Sequence, residues 1–136
     1  MQNSPVFQID PKRFNEWFDN PDPDGDFVMP NLPQRIREAL GTEATSLVFS
    51  AETLAKQKAN HSEILADDYI RIINRLHERW ETIPTKDCHV ALIVKEDKTW
   101  AVIIKATTDG NQAYLVSLHG LRNKNLPKFQ HKWGAK

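Results

Sequence analysis

The 136-residue chain has a single cysteine, no excess of either charge and no long apolar run. Cys88 alone cannot form an internal disulfide, which fits a reducing compartment. Apolar runs such as HVALIV are too short to span a bilayer, and the start MQNSPVFQID lacks the pattern of a signal peptide. We therefore expect a cytoplasmic protein with no membrane partner.

Motifs that would identify a common cofactor or metal site are also missing. No stretch matches a phosphate-binding loop, a dinucleotide fingerprint, a zinc motif or a nucleophile elbow. The loop NPDPDGD lacks the glycine and acid spacing of a calcium loop. The expectation is a protein without a metal or a cofactor.

What the chain does have is an ordinary globular balance, with 40% hydrophobic and 26% charged residues. Its basic residues are unevenly placed, because residues 122–136 carry five of them and no acid. This tail is either a solvated terminus or a strip that contacts phosphate groups, with Lys128 and Lys132 binding a substrate.

Helical and strand periodicities follow one another along the chain. Apolar spacing and capping residues predict short helices near residues 10–20, 33–41 and 50–60, and a longer one from about 67 to 80. SLVFS predicts a short strand between the second and third helices, and period-two runs then predict three more strands, HVALIV, TWAVIIKAT and QAYLVSLHG. The predicted fold class is α+β, with N-terminal helices on one face of a small antiparallel sheet that ends in a three-strand meander. We divide the chain into an N-terminal helical extension with a Pro/Asp-rich loop, 1–45, and an α+β domain with a basic tail, 46–136.

The first helix carries an aromatic stripe. Phe14, Trp17 and Phe18 are spaced at i, i+3 and i+4, so their side chains share one face. This stripe packs either on the chain's own main domain or on a partner.

The register of the last hairpin decides which polar side chains meet. A two-residue turn at Asp109-Gly110 pairs Lys105 with Tyr114 and turns Ser117 and His119 away from Lys105. A three-residue turn with a bulge instead places Lys105, Ser117 and His119 on one face. The second register is favoured, because it leaves Tyr114, Val116 and Leu118 on a wholly apolar face.

The stretch NHSEILADDY connects two predicted helices and holds further candidates. His61 is either a residue that ends a helix or a group that moves protons near neutral pH. Asp67 and Asp68 suit the first turn of the next helix. Tyr69 is either an aromatic at the edge of the core or a residue that binds substrate.

Two stretches carry a family resemblance. LVFSAETLAKQKANHSEILADDYIRIINRL resembles the strand, serine, helix, histidine turn and Asp-Tyr helix of phage-associated nuclease domains of the barnase–EndoU–colicin–RelE-like group. WAVIIKATTDGNQAYLVSLH is similar to the later hairpin of the same group. The resemblance covers about residues 46–120, and Ser62 stands where the family has a proline.

The resemblance implies metal-independent cleavage of RNA phosphodiesters by the ribose 2′-oxygen. In that scheme His61 transfers a proton and Lys105 stabilises the phosphoryl charge. Ser117 and Thr107 donate hydrogen bonds to phosphate oxygens, and His119 is a second acid or base. The partners it implies are RNA, with tRNA as one candidate, and an immunity or antitoxin protein. The source would be a phage or a toxin delivered into a target cell.

The competing hypothesis is a non-catalytic module on the same scaffold. A phage-structural or protein-binding domain could use the aromatic helix or the basic tail to hold a partner. Geometry separates the two hypotheses, because an enzyme requires His61, Lys105 and Ser117 to converge at an open cleft.

Overall fold

We describe the fold from a computed structural model, which defines residues 8–21, 25–77, 80–84, 89–96 and 98–121. The helices and strands follow in the order α1 Pro11–Asp19, β1 Phe27–Pro30, α2 Gln34–Leu40, β2 Ser46–Phe49, α3 Ala51–Asn60, α4 Ala66–Ile73, a 3-10 turn Asn74–His77, β3 Glu81–Pro84, β4 His89–Lys95, β5 Thr99–Ala106 and β6 Ala113–Leu121. The strands form one sheet in the order β1-β2-β6-β5-β4-β3.

The α+β class and the closing meander β4-β5-β6 are confirmed. The sheet differs from the prediction in two ways. It also contains the short strands β1 and β3, which were not predicted, and β2 pairs with β6 in parallel rather than antiparallel. The parallel pair involves only Leu47 with Ala113 and Val48 with Tyr114, so β2 covers just the beginning of β6.

Side-chain capping explains where α1 and α3 begin. The Asp10 carboxylate accepts from the backbone N–H of Lys12 at the start of α1, with Pro11 in the first helical position. The Ser50 hydroxyl likewise accepts from the N–H of Thr53 at the start of α3. The fourth helix is shorter than predicted, because α4 ends at Ile73 and continues only as the 3-10 turn.

The aromatic stripe of α1 packs inside the protein. Phe14 is fully buried, and its ring centroid lies 5.1 Å from that of Phe27 and 5.9 Å from that of Tyr69. Trp17 packs 5.1 Å from Phe49. Residues of the predicted N-terminal extension and of the predicted main domain therefore share one core, and the stripe is not a free docking surface for a partner.

The hairpin β5-β6 combines both predicted registers. Near the turn Lys105 pairs with Tyr114, but an irregularity between Ile103 and Ile104 shifts the pairing to Ile103 with Ser117 and Ala101 with His119. This bulge brings Lys105, Ser117 and His119 to one face of the sheet.

The same bulge corrects the prediction for two apolar partners. Tyr114 lies on the Lys105 face rather than the helix face, and Val116 packs against the cluster that contains Ala101 and Ile103. Leu118 is on the helix face with Val102, as predicted.

The helix α3 covers the part of β6 that β2 leaves open. It follows β2 directly in the chain and packs along β6. Its buried residue Gln57 donates a hydrogen bond of 2.8 Å to the carbonyl of Leu118. The C-terminal end of α3 therefore comes to the edge of the sheet where Ser117 and His119 lie.

Candidate active site

His61 marks the C-terminal end of α3. Its backbone N–H donates to the carbonyl of Gln57 at 2.7 Å, which closes the last turn of the helix. The imidazole is half-buried, and its Nδ1 lies 3.7 Å from Oε2 of Glu63. When the imidazole is protonated, this carboxylate can form an ion pair with it.

His119 stacks on His61. The two ring centroids are 5.5 Å apart and the planes differ by 14°. His119 Nδ1 also lies 3.0 Å from Oγ of Ser117, and the direction of that hydrogen bond depends on the tautomer of the ring. Two imidazoles from distant parts of the sequence thus meet side by side, each with a polar partner at its Nδ1.

Gln57 connects the end of α3, which carries His61, to the part of β6 that carries His119. Its backbone carbonyl bonds to His61, and its side-chain amide bonds to the carbonyl of Leu118, the residue before His119. The same amide nitrogen donates to the hydroxyl of Tyr69 at 2.8 Å. Gln57 is only 4% exposed, so these bonds are formed away from water.

Sequence reasoning did not identify Gln57 as part of the site. The available signal is its spacing, because Gln57 lies three residues after Leu54 and both side chains point to the buried face of α3. A glutamine on the apolar face of a helix needs a polar partner inside the protein.

Lys105 belongs to the same sheet face but lies further along it. It is exposed and occurs two positions from Ile103, the residue that pairs with Ser117. At about 3.3 Å per residue, its backbone is about 13 Å from that of Ala101, which pairs with His119. Lys105 therefore shares the face of Ser117 and His119, but at a distance along the strand, with the buried residues Ile103 and Ala101 between them.

Thr107 is not brought to this site. It lies in the turn of the hairpin, where its hydroxyl donates to Oδ1 of Asp109 and accepts from the N–H of Gln112. The hydrogen bond from Thr107 is the largest cause that holds the pKa of Asp109 below its usual value, and the backbone N–H of Asn111 adds to it. The predicted role of Thr107 as a donor to phosphate is therefore replaced by a role in the turn.

Tyr69 also departs from its predicted role. It is 1% exposed and packs among the rings of Phe14, Phe18 and Phe49, so it cannot contact a substrate. Burial is the largest cause that raises its pKa above the ordinary value, and Gln57 partly opposes the shift. Lys128 and Lys132 lie outside the described residues.

The burial of Tyr69 predicts a loss of stability at alkaline pH. Because its folded-state pKa is raised, its contribution is complete below the ordinary value of 10.0 and is lost as pH rises toward the folded-state pKa. Urea unfolding of wild type and Tyr69→Phe at several pH values checks this. We expect a shallower alkaline decline in Tyr69→Phe, and an equal decline in both proteins would contradict it. Tyr114→Phe serves as the control for the other tyrosine.

A cavity of about 830 Å³ adjoins the histidine pair. Glu63, the partner of His61, forms one side of it, and Gly120, which follows His119, forms another. The lining is mainly charged, with Trp100 as its aromatic residue. Sequence reasoning missed this cavity as well, because it depends on α4 packing across the β4-β5 hairpin.

Arg71 is one of the residues that line the cavity. It donates to Oδ1 of Asp68 at 2.8 Å and forms an ion pair with Glu96. It also lies 5.9 Å from the ring of Trp100. These contacts tie α4 to the β4-β5 hairpin at the cavity wall.

Among the described residues no group of three or more His, Cys, Asp or Glu side chains could hold a metal ion. In the same part of the chain, no helix has the length and apolar character needed to cross a membrane. No family model, curated protein or solved structure matches the chain.

Proposed function

We propose that this chain is a metal-independent endoribonuclease-like domain that cleaves RNA by attack of the ribose 2′-hydroxyl. The stacking of His61 on His119 at the open edge of the sheet is the observation that carries the proposal. Such cleavage needs a base and an acid at one phosphate, and histidine can serve as either near neutral pH.

The reaction would use the pair in opposite protonation states. A neutral imidazole accepts the proton of the 2′-hydroxyl as the 2′-oxygen attacks the adjacent phosphorus. The bond from phosphorus to the 5′-oxygen then breaks, and the protonated imidazole gives its proton to that oxygen. The products are a 2′,3′-cyclic phosphate and a free 5′-hydroxyl.

Ser117 and Lys105 take supporting roles in this proposal. Ser117 bonds to Nδ1 of His119, so it orients the ring and leaves the opposite ring edge toward the reacting atoms. Lys105 contributes positive charge on the same face, where the phosphoryl oxygens gain negative charge in the transition state. The wider proposal, of a phage-associated or toxin-type domain with an immunity partner, is supported by the sequence resemblance alone.

Lys105→Ala should slow cleavage about fivefold, because an exposed charge within about 4 Å of a phosphoryl oxygen contributes about 1 kcal/mol. Stability should stay unchanged, since the side chain is exposed. The assay measures cleavage of tRNA and mRNA in EDTA, with Lys56→Ala on the outer face of α3 as the matched control. Equal rates for Lys105→Ala and the control would remove Lys105 from the mechanism.

The same assay tests the reaction type. A substrate in which every ribose lacks the 2′-hydroxyl should not be cleaved at all, because the attacking group is missing. Cleavage of that substrate at a rate similar to that of RNA would exclude the proposed chemistry.

A further inference from the structure

The residues that line the cavity beside the histidine pair suit a planar ligand with polar groups around its edge. Three carboxylates, Glu63, Asp68 and Glu96, and three cations, Arg71, Lys95 and Lys98, line it. The two signs balance, so the cavity lacks the positive excess that a phosphate-binding pocket requires. It offers both hydrogen-bond donors and acceptors around one aromatic ring.

The aromatic ring in this cavity is covered by a side chain that can move. Trp100 is 2% exposed, and the ammonium of Lys98 lies 4.5 Å from its ring centroid. Lys98 itself is exposed and belongs to the connection between β4 and β5. A cation over an aromatic face at an exposed place contributes only modestly, so a stacking ligand can displace it.

Gly120 makes room for this arrangement. It pairs with Trp100 across the sheet, and a Cβ at position 120 would lie 3.3 Å from both Cε and Nζ of Lys98. The absence of a side chain at 120 thus lets Lys98 lie over the indole. His119 points to the opposite face of the sheet, so the cavity adjoins the proposed site through Glu63, whose Oε2 lies 3.7 Å from Nδ1 of His61.

We propose that this cavity is a nucleobase subsite, with Trp100 as the stacking surface and Lys98 as its displaceable cover. The inference rests on the proposed function, because it assigns the base of a nucleotide whose phosphate lies at His61 and His119. Stacking on an aromatic side chain is a general way for proteins to hold an unpaired base. The fixed guanidinium of Arg71 and the carboxylate of Glu63 would then contact the polar edges of the base.

The test uses binding rather than cleavage. The four nucleoside 3′-monophosphates are titrated into the whole wild-type chain, and the tryptophan indole N–H signals are followed by NMR. Trp100→Phe, which keeps an aromatic ring, identifies the signal of Trp100. We expect a saturable shift of that signal with at least one nucleotide, and binding without a shift at Trp100 would overturn the subsite.

A second variant tests whether the ammonium of Lys98 must leave the Trp100 ring before a base can stack on it. Lys98→Ala should bind the uncharged nucleosides about two- to fivefold more tightly, because no ammonium has to leave the ring. Lys56→Ala, an exposed lysine on α3, should leave the affinity unchanged. Equal affinities of wild type and Lys98→Ala would contradict the role of Lys98.

The outcomes separate this inference from the proposed function. RNA cleavage without a Trp100 shift leaves the nuclease proposal standing and removes the subsite. A Trp100 shift in a chain that never cleaves RNA supports the nucleobase site and removes the catalytic proposal.

Discussion

Replacing His119 or His61 by alanine should slow RNA cleavage by about 10²–10⁴-fold, the usual contribution of a positioned acid or base. Both side chains are half-buried at the sheet edge, so neither substitution removes a large part of the core. The measurement is the single-turnover cleavage rate in EDTA, with urea unfolding to verify the fold.

The double variant distinguishes a catalytic pair from two independent residues. If the rings act on one phosphate as acid and base, loss of both should cost little more than loss of one. The rate of the wild type should also fall on either side of a pH maximum, and each single variant should lose one side of that profile.

His89→Ala is the matched control for these variants. His89 is a half-buried histidine on β4. Its cross-strand partner is Lys105 on β5, away from the stacked rings of His61 and His119. Its replacement should change the rate far less than either of the other two. If His61→Ala and His119→Ala cleave as fast as His89→Ala while remaining folded, the pair is not catalytic.

Gln57→Leu is expected to lower both stability and the catalytic rate. The substitution keeps the apolar volume but leaves the Tyr69 hydroxyl and the Leu118 carbonyl without the donor they now have. Each buried group left unpaired costs about 1–3 kcal/mol. Urea unfolding measures the stability change, and its size tests whether the amide is the internal connection between α3 and β6.

Gln57→Leu should lower the catalytic rate because Gln57 positions the two histidines, not because it contacts the substrate. Gln57 joins the backbone at His61 to the residue before His119, so its loss should loosen the stack and lower kcat. KM should change little, because Gln57 is buried and meets no substrate. A change confined to KM would contradict this role.

Combining Gln57→Leu with Tyr69→Phe gives a sharper test of stability. Removal of the tyrosine hydroxyl eliminates one of the two unpaired groups, so the double variant should be more stable than the sum of the single effects predicts. Strict additivity would show that the bond between Gln57 and Tyr69 does not contribute.

Local signals in the sequence were sufficient to predict that the helices and the meander β4-β5-β6 exist. Asp10, Pro11 and Ser50 act as capping or first-turn residues, and the period-two runs form the strands β4, β5 and β6. The strands β1 and β3 escaped prediction because each has four residues and ends in a proline, which leaves little alternation to detect.

The candidate site was only partly predictable. The sequence offered His61, Ser117 and His119 as candidates, but the bulge that brings Ser117 and His119 to the face of Lys105 arises between Ile103 and Ile104, where nothing local indicates it. The sequence leaves Tyr69 either at the edge of the core or in contact with substrate, because its burial depends on Phe14, which reaches it from a distant helix. Long-range packing of that kind is not encoded in any short stretch.

The most direct test of the central claim is the chemical nature of the ends that the wild type produces from RNA in EDTA. Attack by the 2′-hydroxyl with proton transfer by the His61–His119 pair predicts a 2′,3′-cyclic phosphate on one fragment and a 5′-hydroxyl on the other. Fragments with 5′-phosphate ends, or cleavage that appears only after a divalent metal is added, would contradict it.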